Sequence, residues 1–376
     1  MRKFLFIVAF IIAALAGIWF APAPVICSWD FHNSLWGPAN MVLHGLTPYT
    51  FHPPYSPPYW PVPAVWMPQS IGAFIWLGML PCSIASKLWF VVEIGGLLAV
   101  VWILAGRRLP SRGLFAASLL LIFLFPPLYY HFLLGQYAIL FLTLVLLVVY
   151  VPGIWIATSL ILAIALAKPQ LGILVYPGIL IWVWRTRGTG AMFRLFIFTV
   201  LSVTLLTLPL FFGYPAWPND FLYVTTSNLG KPWELPTLYV LLTVGLGRTG
   251  FIIWLSLFLA VACLCMWLWL KRDAKIAVLI SLALTPVVTT YASSWDFVLL
   301  LPALIGLLLH VKTTFARVML VGGAFLLDII IIATRWHNDI SDGSQWWIPL
   351  ALLIIMAMGL WSERWAVRDK KPATMP

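Results

Sequence analysis

Hydrophobic runs fill most of this chain, and short polar turns separate them. Runs of about 15–24 apolar residues recur from about residue 4 to about residue 361. An α-helix needs about 17–25 mainly apolar residues to cross the hydrocarbon core of a bilayer. The strands of a transmembrane barrel would instead alternate polar and apolar residues over about ten positions. The pattern therefore predicts an all-α polytopic membrane protein with about 12 transmembrane helices.

Two further apolar segments, 62–80 and 236–247, contain prolines and glycines that interrupt a helix. If either segment crossed the membrane, the next cluster of cations would lie on the outer side, against the positive-inside rule. We therefore expect both segments to be short interfacial or re-entrant pieces. The predicted spans are about 4–24, 84–106, 114–131, 135–151, 154–167, 170–184, 195–212, 250–270, 276–290, 297–311, 316–334 and 347–361.

This topology predicts a single integral membrane domain over residues 1–376. We expect its outer face to carry two large loops, 27–83 with short interfacial helices and 213–249. Residues 362–376 are predicted to form a cytoplasmic tail. Because Arg2 and Lys3 precede the first apolar run, the N-terminus is also expected in the cytoplasm. The expected location is the inner (plasma) membrane of the cell, with multiple passes.

Composition excludes a soluble globule, since 63% of the residues are hydrophobic and only 9% are charged. The formal net charge of +11 does not indicate a nucleic-acid partner, because most cations lie in turns on the predicted cytoplasmic side. Membrane lipids are the expected surroundings. Cys27 and Cys82 could both face an oxidising compartment, and the sequence leaves open whether they form a disulfide.

Asp30 directly follows the first predicted span, in Cys27-Ser28-Trp29-Asp30-Phe31. A carboxylate at the mouth of a membrane helix is costly unless it is used or solvated. The loop that follows it contains no Lys or Arg before Lys87, so Asp30 has no local cationic partner. Capping a helix is the alternative role, but the pattern favours a catalytic base at the outer face.

Several other polar residues share a predicted position at the outer ends of spans or in the first loop. Lys168 and Arg335 lie outside the cytoplasmic charge clusters, which suggests anion binding, although Lys168 could snorkel and Arg335 could be an ordinary loop charge. Gln136 could cap a helix or bind ligand, and His131 could form only a local hydrogen bond. The candidate substrate- and phosphate-binding residues are Lys168, Arg335, His337, Gln136, His131, Asp296, Tyr49 and Tyr59.

An outward base, isolated cations and a lipid-embedded scaffold fit transfer of a sugar from a lipid-linked phosphate. A carboxylate takes the proton of the acceptor hydroxyl, which attacks the anomeric carbon. Cations stabilise the departing phosphate, where negative charge develops. One base and one displacement predict inversion at that carbon. Because cations suffice for the leaving group, neither a metal nor another cofactor is required.

The chain resembles the GT-C fold glycosyltransferases of family 87, which use polyprenyl-phosphate sugars and are often mannosyltransferases. The resemblance rests on the order and spacing of short motifs over most of the first 310 residues. These motifs are Asp30-Phe31, Gly45…Pro48-Tyr49, Tyr59-Trp60-Pro61, Gly135-Gln136, Lys168-Pro169-Gln170-Leu171-Gly172 and Tyr291…Asp296-Phe297-Val298-Leu299-Leu300-Leu301-Pro302.

The resemblance implies a GT-C-like bundle with Asp30 as the general base. It also implies a lipid-linked sugar donor and a lipid or glycan acceptor. Two departures leave the sugar open, as mannose or another hexose. Ala138 stands where the family often has Asn, and Asp296-Phe297-Val298 stands where some mannosyltransferases have His.

Two other function classes remain at this stage. The chain could be a flippase or transporter of lipid-linked glycans, with Asp30 and Lys168 gating a pathway, or a non-catalytic membrane assembly subunit. No internal repeat is evident in the sequence, which argues against an inverted-repeat transporter. Asp30 near Lys168 within a packed first loop would favour the enzyme.

Overall fold

A computed structural model describes residues 27–49, 66–105, 112–151, 153–228, 235–337 and 342–368, and every regular element within them is helical. The α-helices are Trp29–Phe31, Gly37–Leu43, Pro68–Ala73, Cys82–Ala105, Arg112–Phe123, Pro126–Leu134, Ala138–Tyr150, Trp155–Ala165, Val175–Arg187, Thr189–Gly213, Trp217–Asn228, Leu238–Lys271, Ala274–Val288, Leu301–His310, Thr314–His337 and Ile348–Arg368. Short 3-10 helices lie at Ile75–Met79, Pro169–Gly172, Ser294–Leu300 and Asp342–Gln345.

Among the described residues, 5 helices are long and apolar enough to cross a membrane. They are Cys82–Ala105, Thr189–Gly213, Leu238–Lys271, Thr314–Thr334 and Asp342–Glu363. The bent pair Pro126–Leu134 and Ala138–Tyr150 makes a sixth if it crosses as one unit. These helices indicate a multi-pass membrane protein.

The expected count of about 12 spans is not confirmed. Trp155–Ala165, for example, has 11 residues and is about 16 Å long, roughly half the thickness of the hydrocarbon core. The predicted first span, 4–24, lies outside the described residues. The predicted span 114–131 is divided into Arg112–Phe123 and Pro126–Leu134. Proline lacks the N–H that a continuing helix would use, so Pro126 begins a new helix instead.

The chain also breaks at Gly247, which has a non-helical backbone with φ 55° inside Leu238–Lys271. The rings of Tyr239 and Trp254 lie 4.9 Å apart, whereas fifteen residues of straight helix would separate them by about 22 Å. The segment before Gly247 therefore folds back on the helix that follows, as a re-entrant piece would. A side chain at Gly250 would lie 1.8 Å from the carbonyl oxygen of Leu242, so this contact requires glycine.

The first loop contains short helices, and several contacts join the beginning of the loop to its end. Cys27 and Cys82 form a disulfide, which links the start of the first described helix to the start of Cys82–Ala105. The Trp36 indole donates a hydrogen bond to the Leu80 carbonyl at 3.0 Å, and Asn40 donates to the Gly78 carbonyl at 2.8 Å. The described parts of the loop, residues 27–49 and 66–83, thus form a packed layer next to Cys82–Ala105.

The charged turns that were predicted on the cytoplasmic side meet in pairs. The Arg185 guanidinium donates to the carbonyls of Leu270 and Arg272 at 2.7 and 3.0 Å, so the two cationic turns after Val175–Arg187 and Leu238–Lys271 lie side by side. The Glu363 carboxylate accepts from the backbone N–H groups of Lys312 and Thr313, both at 3.0 Å. Turns that were predicted to share the cytoplasmic side therefore contact each other.

Candidate active site

Asp30 sits in a short helix that packs closely against a left-handed turn. The neighbouring Phe31 is fully buried against Trp89, with ring centroids 5.9 Å apart. Gly135 ends Pro126–Leu134 with φ 67°. A Cβ on Gly135 would lie 2.6 Å from both Phe31 Cβ and Ser28 Oγ. Gly135 is therefore needed for two reasons: its backbone conformation favours glycine, and a side chain would prevent the close approach of the helix that carries Asp30.

Four side chains form a continuous polar chain, which we call the polar bridge: Asp30, Gln136, Lys168 and Asp296. The Gln136 Nε2 group donates a hydrogen bond to Asp30 Oδ2. Lys168 Nζ donates to Gln136 Oε1 at 2.6 Å and to Asp296 Oδ1 at 3.2 Å. The structure thus brings together four residues that the sequence had selected separately. Asp30 lies in Trp29–Phe31 and Asp296 in Ser294–Leu300, whereas Gln136 and Lys168 lie in two different turns between helices.

Lys168 is buried at the centre of the polar bridge, with 5% of its surface exposed. Its ammonium group also lies 5.5 Å from the centre of the Trp66 ring, which is within the range of a cation–π contact. The backbone N–H of Met67 donates to the Ala167 carbonyl at 3.0 Å, which ties the first loop to this turn. Pro169 follows Lys168 and disfavours helical geometry at that position, which opens the turn.

Asp296 is held by the start of its own helix. Its Oδ2 accepts the backbone N–H of Ser293 at 3.1 Å in a capping box, and its Oδ1 accepts Lys168. Both carboxylate oxygens are therefore occupied. Asp296 neutralises Lys168, so the two residues together contribute little net charge to the site.

The electrostatics leave Asp30 as a stronger base than an ordinary aspartate. Asp30 keeps part of its surface exposed, but the surrounding protein raises the pKa of its carboxyl from 3.8 to about 6 through desolvation. Lys168 opposes this rise in pKa, and Asp296 adds to it. Burial also raises the pKa of the nearby Tyr291 hydroxyl to about 12, with smaller contributions from Asp296 and Asp30. Asp30 is thus mostly ionised at neutral pH and able to accept a proton.

A second buried pair lies behind the turn that carries Gln136. His131 Nε2 is 3.1 Å from Glu93 Oε1, and both residues are fully buried. The His131 carbonyl accepts the Gln136 N–H at 3.1 Å, and the Trp89 indole donates to the Gly135 carbonyl at 3.1 Å. The His131 carbonyl therefore stabilises the turn that carries Gln136. Glu93 was visible in the sequence as an acid inside the apolar run 84–106, but it was not selected as a site residue because no partner was visible.

The other candidates are placed elsewhere or lie outside the description. The buried Tyr49 ring packs on Phe221 at 5.2 Å in a separate hydrophobic cluster. Tyr59 falls outside the described residues, and so do the side chains of Arg335 and His337, at the end of Thr314–His337. Among the residues that the structure covers, no group of three or more His, Cys, Asp or Glu could hold a metal ion.

A comparison with known families places the chain in one of them. The model of glycosyltransferase family 87 matches residues 66–293, which is more than half of the chain. The protein belongs to glycosyltransferase family 87. The match includes Gln136 and Lys168 of this family 87 glycosyltransferase and begins after Asp30. No curated protein and no solved structure matches the chain significantly.

Proposed function

We propose that this family 87 glycosyltransferase transfers a hexose, mannose or another, from a polyprenyl-phosphate donor to a lipid or glycan acceptor. Asp30 is the general base, the anomeric carbon is inverted, and no metal takes part. One observation carries this proposal: Gln136 occupies Oδ2 of Asp30, while no donor among the described residues occupies Oδ1. Asp30 thus has a fixed orientation and an oxygen available for an acceptor hydroxyl.

Every proton and electron pair of the proposed step can be accounted for without a further reactant. The acceptor O–H gives its proton to Asp30 as the acceptor oxygen forms a bond to the anomeric carbon. The bond between that carbon and the phosphate oxygen breaks, and its electron pair leaves with the polyprenyl phosphate. Asp30 suits this role because a pKa of about 6 makes it more basic than a free aspartate and still ionised at pH 7.

The leaving phosphate needs positive charge. Lys168 is already bonded to Gln136 and Asp296, so we assign it a supporting charge rather than the main grip. Arg335 and His337 are the proposed clamp. In support, Asp342 Oδ2 accepts the backbone N–H of Ser294 at 3.2 Å, so the chain shortly after His337 reaches the helix of Asp296.

We propose that the site faces the outer side of the inner (plasma) membrane, with both termini in the cytoplasm. The disulfide between Cys27 and Cys82 lies next to Asp30 in the chain. Disulfides persist in oxidising compartments and are rare in the cytosol. This supports an outward site, together with the charge pattern of the turns.

The test is an assay of the purified protein with a panel of polyprenyl-phosphate hexoses, followed by product mass and anomeric configuration. Asp30→Asn is expected to reduce transfer by about 10²–10⁴-fold, the usual contribution of a general base. Asp220→Asn is the matched control, since Asp220 lies in Trp217–Asn228 outside the polar bridge. The proposal fails if Asp30→Asn transfers sugar at the wild-type rate, or if the protein moves intact donors across vesicles without transfer.

A further inference from the structure

We propose that Gln136 is a positioning residue that determines which oxygen of Asp30 accepts the proton and how basic that oxygen is. The inference rests on the proposed function of Asp30. Gln136 itself touches neither the sugar nor the phosphate in this proposal. It acts through Asp30, and Lys168 sets its orientation.

The two ends of the Gln136 amide can be assigned by chemistry. An ionised carboxylate only accepts hydrogen bonds, and an ammonium group only donates them. The amide therefore satisfies both neighbours in one orientation, with its NH₂ group toward Asp30 and its oxygen toward Lys168. Rotating the amide by 180° would break both bonds. Lys168 thus holds the donor end of Gln136 against Asp30.

This arrangement separates Asp30 from the cation. No cation in the described part of the chain lies within 4.0 Å of the Asp30 carboxylate, and the ion pair of Lys168 is with Asp296, at 3.2 Å. A direct ion pair with Lys168 would lower the pKa of Asp30 by about 1–3 units and weaken the base. A neutral donor stabilises the carboxylate less strongly. Gln136 therefore orients Asp30 while leaving it basic.

Few other charges face Asp30 from the elements around it. Asp296 acts on it from within Ser294–Leu300 and Lys168 from its own turn. The Tyr291 hydroxyl, just before Ser294–Leu300, is near enough for Asp30 to raise its pKa. On Pro126–Leu134, His131 is paired with Glu93. The contact with Gln136 is thus the hydrogen bond through which the pKa of Asp30 can be changed without altering a charge.

The backbone at Gln136 does not depend on its side chain. The Gln136 N–H is bonded to the His131 carbonyl, and the Gly135 carbonyl accepts the Trp89 indole. The next residue, Tyr137, donates its hydroxyl to the Ile164 carbonyl at 2.7 Å. Substitutions of similar volume at Gln136 are therefore expected to fold.

The experiment compares Gln136→Met, Gln136→Glu and the control Gln345→Met, which replaces another buried glutamine. Asp30 is titrated by difference infrared spectroscopy in nanodiscs without added substrate, with Asp30→Asn as the blank. Methionine removes the donated hydrogen bond, so the pKa of Asp30 is expected to rise by about one unit. Glutamate can still accept from Lys168 but adds a negative charge beside Asp30, so the rise is expected to be larger.

The same order is expected in kinetics with the polyprenyl-phosphate hexose that the wild-type protein uses. The acid limb of kcat/KM moves to higher pH in Gln136→Met and further in Gln136→Glu. The loss at pH 6.5, about threefold for Gln136→Met from the smaller ionised fraction of Asp30, appears in kcat rather than KM. The control Gln345→Met keeps the wild-type profile. A wild-type or lowered pKa of Asp30 in Gln136→Met overturns the inference, and Gln136→Glu decides in the same way if Gln136→Met does not fold.

The two proposals can fail separately. If Asp30→Asn retains transfer, Asp30 is not the base, whatever the Gln136 variants show. If Asp30→Asn is inactive and the Gln136 variants keep the wild-type pH profile, only the positioning role of Gln136 is wrong.

Discussion

Replacing Gly135 with alanine should displace Asp30 without changing any group that carries charge. Gly135 has φ 67°, a conformation that costs a residue with a side chain about 1–2 kcal/mol. The added Cβ would also lie 2.6 Å from Phe31 Cβ, whereas ordinary contacts begin at 3.4 Å. The helix that carries Asp30 must therefore move by roughly 1 Å to restore normal packing. A displacement of about 1 Å at a reacting group can reduce the rate by about 100-fold.

The chain offers a control that separates backbone strain from displacement. Gly188 also has a positive φ, 83°, but nothing lies within 4 Å of the position of its Cβ. Gly188 has ψ 171°, a backbone region that is essentially restricted to glycine, so Gly188→Ala is expected to lower stability at least as much as Gly135→Ala and to leave transfer unchanged. Both variants are compared by thermal unfolding and by kcat/KM with one polyprenyl-phosphate hexose. Equal activity of Gly135→Ala and Gly188→Ala would refute the reasoning, because it would show that the close approach of Phe31 does not position Asp30.

Three further results are expected. The pKa of Asp30 is raised from 3.8 to about 6 in the folded protein, so ionisation of this carboxyl disfavours folding, fully so above pH 6. Asp30→Asn should therefore raise Tm at pH 7.5 more than at pH 5. The wild-type kcat/KM should fall below pH 6, and an acid limb near pH 4 would contradict this. Glu93→Ala should lower the free energy of unfolding by about 1–3 kcal/mol, because it removes the polar neighbour of the buried His131 side chain. Replacing both residues with leucine should recover much of the loss in denaturation experiments. Removing the disulfide by Cys27→Ser with Cys82→Ser should cost about 2–4 kcal/mol across a sequence separation of 55 residues, and a reducing agent should then no longer change Tm.

Much of the helical pattern follows from the apolar runs, but the breaks depend on local and tertiary details. The predicted span 84–106 corresponds closely to Cys82–Ala105, since an uninterrupted apolar run leaves few other structures in a membrane. The run 114–131 looked continuous by hydropathy, yet Pro126 divides it. Hydropathy averages over such a position, whereas the N–H that one proline lacks is enough to interrupt the helix.

The candidate site shows a similar division. Asp30 and Lys168 could be selected from the sequence because an isolated charge in an apolar chain is costly. Their connection through Gln136 could not be predicted, because an uncharged amide gives no such signal and its partners are 106 and 32 residues away in the chain. Glu93 was visible as an isolated acid, but its pairing with His131 depends on how two helices pack.

The polar bridge also bears on how the protein is made. Its members are synthesised in the order Asp30, Gln136, Lys168 and Asp296. A nascent chain that ends before residue 296 therefore contains Lys168 without its counter-ion. A buried cation without its partner is unstable in a membrane, and contacts between residues distant in the chain form late. The site is therefore completed only when nearly the whole bundle has been inserted, which makes catalytic activity a sensitive report of correct biogenesis.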